Sequence, residues 1–463
     1  MKNKLNKRKD SSEQASFLAA NQYLNGFIDY ERRISYSYKE SLKLDRTEYL
    51  LGVLNINYSK LNVIHVAGTK GKGSVATLTA YILAACGYRV GLYTSPHFND
   101  FCERIAILKR VNYRVKSRLI EKKRVVEIIE RFKPYLEKIR DTKKYGKITF
   151  FELYTALAFR YFLDEQLDFV VLEVGLGGRL DATNVVNPMV SVISHIGYDH
   201  TNKLGSKISE IAYEKAGIIK RRVPVIASRQ EKNALAVIRK MCRLYDSPLF
   251  VLGDDFYYRV RKINQEGASF DFRFVGKGLD KLKIRLKGEH QVENASLALA
   301  ALSVLKNSQR IKGKISFKSG LKQAFIAGRF EVVSKRPLVI LDIAHNLSSF
   351  RSLAETVRVC FPAKKVILIF AASKDKDVKG MLSIFPWTKI IITRFNNPRS
   401  FSPVDIVKRC GLKNALVSKD IREAVKKAFL YYNRDWLVLI SGSFFLVAEA
   451  KELLRKNGKL SEL

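Results

Sequence analysis

The sequence predicts an α/β protein in two parts, a larger N-terminal parallel-sheet domain over residues 1–326 and a smaller Rossmann-like α/β domain over residues 327–463. Three observations lead there. Short apolar runs rich in β-branched residues alternate with stretches of helical periodicity along the chain. The first run, Asn62 to Ala67 (NVIHVA), passes into a glycine-rich loop, a helix and a further strand, and such a βαβ opening implies parallel pairing. A second alternating series begins near Gly328. With 463 residues the chain has room for two or three domains at roughly 150 residues each.

Taken in order, Met1 to about Gln14 reads as a frayed tail, basic and then polar, without the apolar segment of a signal peptide. Asn62–Ala67 is a buried strand, and Val75 to Cys86 is a helix stopped by Gly87. Arg89 to Tyr93 is the second strand. Between Glu103 and Lys147 sixteen Lys/Arg stand against six Asp/Glu, with helical periodicity at Val125, Ile128, Ile129 and Phe132. This predicts an exposed amphipathic helix with flanking loops. Further buried strands are expected at Phe169–Val174, Val190–Ser194 and Val223–Ala227, and the basic stretch Lys306–Lys322 closes the first domain. The second domain has strands at Leu338–Asp342, Lys365–Phe370, Lys389–Thr393 and Trp436–Ile440.

Composition narrows the class. An apolar share of 47% excludes a disordered or low-complexity chain. Lys and Arg number 83 against 44 Asp and Glu, a formal charge of +39, and such a field attracts phosphates, polycarboxylates or nucleic acid unless it is only a solubility trait. The five cysteines (Cys86, Cys102, Cys242, Cys360, Cys410) are scattered and odd in number, which fits a reducing cytoplasm and no disulfide or zinc framework. No run reaches the roughly 18 apolar residues of a membrane span.

The chemistry gathers at loops after strands. Gly68-Thr69-Lys70-Gly71-Lys72-Gly73-Ser74 lies between a strand and a helix, where backbone N–H groups and the helix N-terminus cradle an anion. Lys72 can reach outer phosphates and Ser74 a metal or phosphate, as in a P-loop-type ATPase, although the spacing departs from G-x-x-x-x-G-K-[ST]. Ligands of open α/β sheets sit outside the carboxyl ends of strands. Such ends carry Ser95 beside Pro96 and His97, Glu173 in VVLEVGLGGRLDATN, and His200 after Asp199. Mg²⁺ prefers oxygen ligands with one or two carboxylates, so Glu173 is the candidate ligand. Taken alone, Glu173 could equally accept loop hydrogen bonds, His200 could be structural, and Lys215 in AYEKAG could be a surface lysine.

Together IHVAGTKGKGSV, TSPH, FCERI, TFFEL, VVLEVGLGGRLDATNVV, GYDHTNKLG, IAYEKAGII, GEHQVENA, AGRFEVV, LDIAHN, SKDKD and SGSFFLVAEA fall in one order that resembles the folylpolyglutamate synthase and dihydrofolate synthase family of Mur-type ATP-dependent amide ligases. The resemblance runs from about Tyr23 to Leu454. It implies a Mur ligase central-type ATP-binding domain (1–326) and a glutamate-ligase-type domain (327–463). It further implies ligation of L-glutamate to a folate or dihydropteroate carboxylate through an acyl phosphate, with ATP and two Mg²⁺ ions, in a cytoplasmic monomer with small-molecule partners.

Carried over by position, the resemblance makes Thr69, Lys70, Gly71, Lys72, Gly73 and Ser74 the phosphate cradle. Ser95, Glu173 and His200 become metal ligands, and Lys215 a lysine carbamylated by CO₂. Asn294 lies on the adenine side, Arg329 at the phosphates and Asp342 at the ribose. Lys72, Lys215 and His345 are the implied catalytic residues, and Thr149, Phe150, Phe151, Glu152, Leu180, Asp181 and Ala182 the pterin side. Lys70, Tyr198, Ala327 and Leu347 depart from the family's usual Asn, Leu, Pro and Pro. The basic segment before TFFE is expected near the path of polyanionic folate tails. Another Mur-type amino-acid ligase and a basic nucleic-acid-binding ATPase are the competing readings; no nucleic-acid motif supports the latter.

Overall fold

The β-branched runs form the spine of the protein in a computed structural model that describes residues 2–30, 37–139, 141–142, 144–312 and 316–456. The larger sheet contains β1 (Val63–Ala67), β2 (Val90–Tyr93), β3 (Ile105–Val111) and β4 (Arg114–Leu119). A two-residue ribbon follows, β5 (Asp141–Thr142) and β6 (Gly146–Lys147), before the sheet resumes with β7 (Phe169–Glu173), β8 (Val190–Ile193), β9 (Val225–Ala227) and β10 (Leu249–Val251). The order across the sheet is β10-β9-β8-β1-β7-β2-β3-β4. From β10 to β2 neighbours are parallel; β3 and β4 continue antiparallel. The carboxyl ends of β1, β2, β7 and β8 therefore share one edge.

Every residue of β1 is buried, because helices cover both faces. Ile64 and Val66 pack on one side with the helices Lys72–Ala85 and Glu289–Asn307; Val63 packs on the other with Lys122–Ile139 and Phe150–Asp164. This is the period of two that a strand imposes. A separate antiparallel sheet, β11 (Phe256–Asn264), β12 (Gly267–Phe274) and β13 (Lys277–Ile284), covers the first of these cores with Phe270, Phe272 and Phe274.

The second sheet contains β14 (Glu331–Lys335), β15 (Leu338–Leu341), β16 (Lys365–Phe370), β17 (Lys389–Ile392), β18 (Leu416–Val417) and β19 (Trp436–Ser441). Its order is β14-β15-β19-β16-β17-β18, parallel except at β14.

Two local expectations are overturned. Lys2–Asn25 is one helix rather than a frayed tail to Gln14, and it docks through Phe17, Ala20 and Leu24, spaced to share one helical face. The segment after Glu103 contains the β3–β4 hairpin, not loops. Lys122–Ile139 is the expected amphipathic helix, with its stripe of Val125, Ile128, Ile129, Phe132 and Leu136 buried against the sheet and Lys123, Glu130, Arg131 and Lys138 on its exposed face.

Candidate functional site

β1 ends at Ala67, and the chain turns at once. Thr69 and Lys70 both donate their N–H to the His195 carbonyl (2.9 and 3.1 Å), which ties the loop to the end of β8. Gly71, at φ 84°, caps the helix Lys72–Ala85, which starts three residues earlier than the apolar pattern predicts. That conformation suits glycine, and a Cβ at Gly71 would also stand 2.2 Å from Asn294 Oδ1. A Cβ at Gly73 would stand 3.2 Å from Glu173 Oε2. The first-turn amides of this helix have no intrahelical acceptor and are available to an anion. The Ser74 hydroxyl beside them is buried without a hydrogen-bond partner among the described residues.

One cavity of about 430 Å³ opens at this edge. It collects Thr69, Lys72, Ser95, Thr149, Phe150, Phe151, Glu152, Glu173, Leu180, Asp181, Ala182, His200 and Lys215 from the first sheet's side, and Arg329 and His345 from the second's. Lys70, Gly71, Gly73, Ser74, Asn294 and Asp342 do not line it. Lys70 is partly buried, which lowers its amine, with Asp199 and Arg351 close enough to act on it. Asn294 donates to Gln291 (3.1 Å). Asp342 accepts N–H groups from Phe330 and Ala344 (2.8 and 2.9 Å) and so folds the start of the second domain.

Glu173, at the carboxyl end of β7, is 5% exposed. Burial raises its carboxyl, and Lys72, the Ser95 N–H at 3.0 Å and the arginines Arg329 and Arg104 oppose that rise. Lys215, 4% exposed, donates Nζ–H to the Gly68 carbonyl at 2.8 Å. Burial, helped by Lys72, brings its amine down to about 7. His200 lines the cavity, and burial lowers its imidazole to about 4 against the pull of Asp199. Where the domains meet, His345 Nδ1 faces the Ile343 carbonyl at 2.9 Å. Its Nε2 lies 3.9 Å from Asp199 Oδ2, and Lys376 Nζ lies 3.4 Å from Asp199 Oδ1.

The pterin-side residues are held by networks of their own. Thr149 and Glu152 form a capping box at the start of Phe150–Asp164. The same Glu152 carboxylate takes a buried ion pair from Arg46, at 2.7–2.9 Å. Asp181 caps the turn Ala182–Val185.

Sequence reasoning named Asp199 beside His200 without giving it a role and passed over Arg104, Lys203, Lys376, Arg399 and Ser443, all of which the fold brings to this cavity. Arg104 is 1% exposed, donates to His97 Nδ1 at 2.9 Å and lies over the Phe150 and Tyr154 rings. FCERI and SKDKD mark the segments of Arg104 and Lys376, but nothing in either motif says that they converge. The basic hairpin is placed elsewhere. Among the described residues none between 105 and 148 lines the cavity, and Arg118 is engaged with Glu121 and Glu165.

The donors fit a hard cation. Among the described residues no three His, Cys, Asp or Glu side chains form a ready metal cage. Glu173 instead offers a carboxylate facing Gly73 at the start of the loop helix, next in sequence to the Ser74 hydroxyl, and such an oxygen donor suits Mg²⁺ completing its shell with phosphate and water oxygens.

Comparison with known proteins agrees with this architecture. Residues 66–302 match the Mur ligase middle domain and residues 328–444 the Mur ligase glutamate ligase domain. The chain is 34% identical over 417 residues to the dihydrofolate synthase/folylpolyglutamate synthase of Bacillus subtilis, covering 89% of this chain and 95% of that protein. It is 30% identical to the folylpolyglutamate synthase of Lacticaseibacillus casei, covering 84% and 89%. Mycobacterium tuberculosis folylpolyglutamate synthase complexed with ADP superimposes with a TM-score of 0.84 at 28% identity, over 96% of this chain and 99% of that one. E. coli FolC in complex with DHPP and ADP gives 0.80 at 27% identity, over 95% and 98%. The chain belongs to the folylpolyglutamate synthase and dihydrofolate synthase family of Mur-type ligases.

Proposed function

We propose that the chain joins the amino group of L-glutamate to a carboxyl group of a folate or of dihydropteroate, using ATP, with residues in and around the central cavity in the roles below. One observation carries this reading: the phosphate loop after β1 and the loop after β7 open onto the same cavity, over Lys72 and Glu173. A terminal phosphoryl group and an acceptor carboxylate can therefore meet there. One carboxylate oxygen attacks the terminal phosphorus and ADP leaves; the glutamate amine then attacks the acyl carbon, loses a proton, and phosphate departs with that oxygen. Positioning and charge neutralisation do most of the work in such transfers.

Thr69 to Ser74 hold the phosphates through loop amides and Lys72, with Arg329 reaching in from the second domain and Asn294 and Asp342 on the nucleoside side. Thr149 to Glu152 and Leu180 to Ala182 wall the pterin. Ser95, Glu173 and His200 would hold Mg²⁺, which spreads the terminal phosphate charge when bound. Burial brings the Lys215 amine down to about 7, so near neutral pH a substantial fraction of it is the neutral base that adds CO₂. Its nitrogen would bond the carbon and release a proton, turning a cation into an anionic carbamate beside the metal. With Nδ1–H donated to Ile343, His345 keeps a lone pair on Nε2, 3.9 Å from Asp199 Oδ2 at the cavity wall, suited to take the proton of the incoming amine and leave an imidazolium beside that carboxylate. Lys203, Lys376 and Arg399 supply cations for the two carboxylates of glutamate.

The domain division goes with this reading, with the boundary at 326/327. The preceding helix Phe317–Gln323 still packs on the phosphate-loop helix, and Gly328 takes φ 67° before β14. Among the described residues no helix is long and apolar enough to cross a membrane. ADP release is the test, measured with glutamate and, separately, dihydropteroate or tetrahydrofolate. Release that requires acceptor and glutamate together is expected. No release with either acceptor would sink the reading.

A further inference from the structure

We propose that His65 is a positioning residue: through Thr183 it fixes the Asp181 carboxylate, and with it the cavity wall Gly175–Ala182, to the strand that ends in the phosphate loop. The proposal rests on reading that wall as the pterin side.

His65 sits in the middle of β1, opposite Leu172 on one neighbour and Ser191 on the other. It is 0% exposed, and the other four residues of the strand are apolar. An imidazole in such a place needs partners, and it has one. Nε2 lies 2.8 Å from Thr183 Oγ1, which lies 2.6 Å from Asp181 Oδ1. The Thr183 N–H also donates to Oδ1 (3.0 Å), and the Leu176 N–H donates to Oδ2 (2.9 Å).

Proton counting orders the chain. A threonine hydroxyl has one proton, and here the carboxylate takes it. Thr183 must then accept from His65, so the proton of the ring is on Nε2. That leaves Nδ1 a buried lone pair with no hydrogen-bond partner among the described residues. Burial also drives the imidazole down to about 3, so the ring stays neutral at working pH, and the bond to Thr183 sets which nitrogen holds the proton. A residue serving only to fill the strand would not strand a lone pair in the core. The Nε2–H bond is what the histidine adds, and it runs to the folate-side wall.

The consequence is a fixed distance between two half-sites. Two residues after His65 the strand ends at Ala67 and the phosphate loop begins. At the other end of the relay, Asp181 organises a loop from which Gly175, Leu176, Gly177, Leu180, Asp181 and Ala182 line the cavity. Loss of the relay lets the wall shift relative to the phosphate loop without touching either substrate. No proton is transferred and no bond is made.

Steady-state kinetics on the full chain test this, with His65→Leu, Thr183→Val and the double variant, using whichever of dihydropteroate and tetrahydrofolate the wild type accepts. Each single change is expected to raise KM for the pterin substrate roughly tenfold, as for one lost hydrogen bond, with KM for ATP moving less than about twofold. The double variant should be no worse than either single, because both cut one link. His65→Gln, which keeps an N–H donor, should recover most of the loss. Effects that multiply in the double variant, or that move both KM values together, would overturn the proposal. Hydrogen exchange needs no substrate: in Thr183→Val the Leu176 amide should lose protection while β1 keeps its own. Unchanged protection at Leu176 also overturns it. A wild type that ligates glutamate to neither acceptor defeats the pterin reading instead, and the exchange result still decides the relay.

Discussion

The carboxyl edge of the large sheet and the β3–β4 hairpin are both rich in charge, and they use it differently. At the sheet edge Lys72, Glu173, Asp181 and Lys215 stand around one cavity, and burial moves the carboxyls of Glu173 and Asp181 up and the amine of Lys215 down. On the hairpin, Arg114, Lys116 and Arg118 are in water, and Arg118 meets Glu121 and Glu165 on the surface. The same pair of unit charges that interacts by about 1 kcal/mol in water at 4 Å interacts several-fold more strongly where protein replaces water. Density of charge along the sequence therefore says little about chemistry. What counts is where the fold removes water from it.

The largest effect should come from the buried edge. Glu173→Gln keeps an oxygen for the Ser95 N–H, so the local backbone should hold, but it removes the negative charge. We expect kcat for ADP release to fall by about 10²–10³-fold. A variant within tenfold of wild type would detach Glu173 from the chemistry. Lys215→Ala should fall nearly as far, about 10²-fold, and recover in part when short carboxylates are added, since they can stand where the carbamate would. Full activity in Lys215→Ala would dismiss the carbamate.

A third experiment compares ion pairs from the two regions directly. Arg46 and Glu152 are a buried pair, with side chains 5% and 4% exposed. Removing Arg46 strands a carboxylate, and Arg46→Ala should cost about 3–5 kcal/mol in urea unfolding. Arg118→Ala, from a solvated pair, should cost less than about 1 kcal/mol. Equal costs would mean that burial does not separate the two regions.

Much of this contrast was legible before the fold was known, and the missing part has physical causes. Asn62–Ala67, Phe169–Val174 and Val190–Ser194 lie within one residue of their strands, because buried parallel strands are continuous apolar runs. The glycine loop was legible through its place between strand and helix. The β3–β4 hairpin was not, since lysines and arginines on an exposed edge strand blunt the alternation that marks a half-buried one. The sheet β11–β13 did leave a signal: Ala268, Phe270, Phe272 and Phe274 alternate with Ser269, Asp271 and Arg273, the period of a one-sided antiparallel strand. A reading tuned to continuous apolar runs passes over it. The meeting of Asp199 with Lys376 joins residues of different domains, and neither segment contains information about the other. Site residues at strand ends can be read locally; those that complete the cavity from the second domain cannot.

A pH series gives a smaller effect from the same buried edge. His65, fully buried, is pushed down to about 3, whereas an unfolded histidine titrates near 6.5. Below about pH 6.5 the unfolded chain takes up a proton that the folded chain refuses, so stability falls as pH falls and is complete above that value. The contribution at pH 5 is about 2 kcal/mol. It should appear as a lower urea midpoint at pH 5 than at pH 7, and the drop should shrink in His65→Gln. An identical drop in both proteins would mean that His65 is not held neutral.

The smallest expected effect falls on the hairpin. Arg114, Lys116 and Arg118 were expected beside the path of a polyanionic folate tail, and reversing all three to Glu changes the local charge by six units. The fold argues against any such role. Arg114 pairs with Val111 at the far end of the hairpin, and among the described residues none between 105 and 148 lines the cavity. At physiological salt the field of exposed charges fades over about 8 Å, so reversal there should barely reach a substrate bound at the carboxyl edge. We therefore expect KM for a long-chain polyglutamate substrate to change less than about twofold at physiological salt, and to drift only when ionic strength is lowered and screening weakens. A tenfold rise at physiological salt would return the hairpin to the substrate path and end the contrast between the two regions.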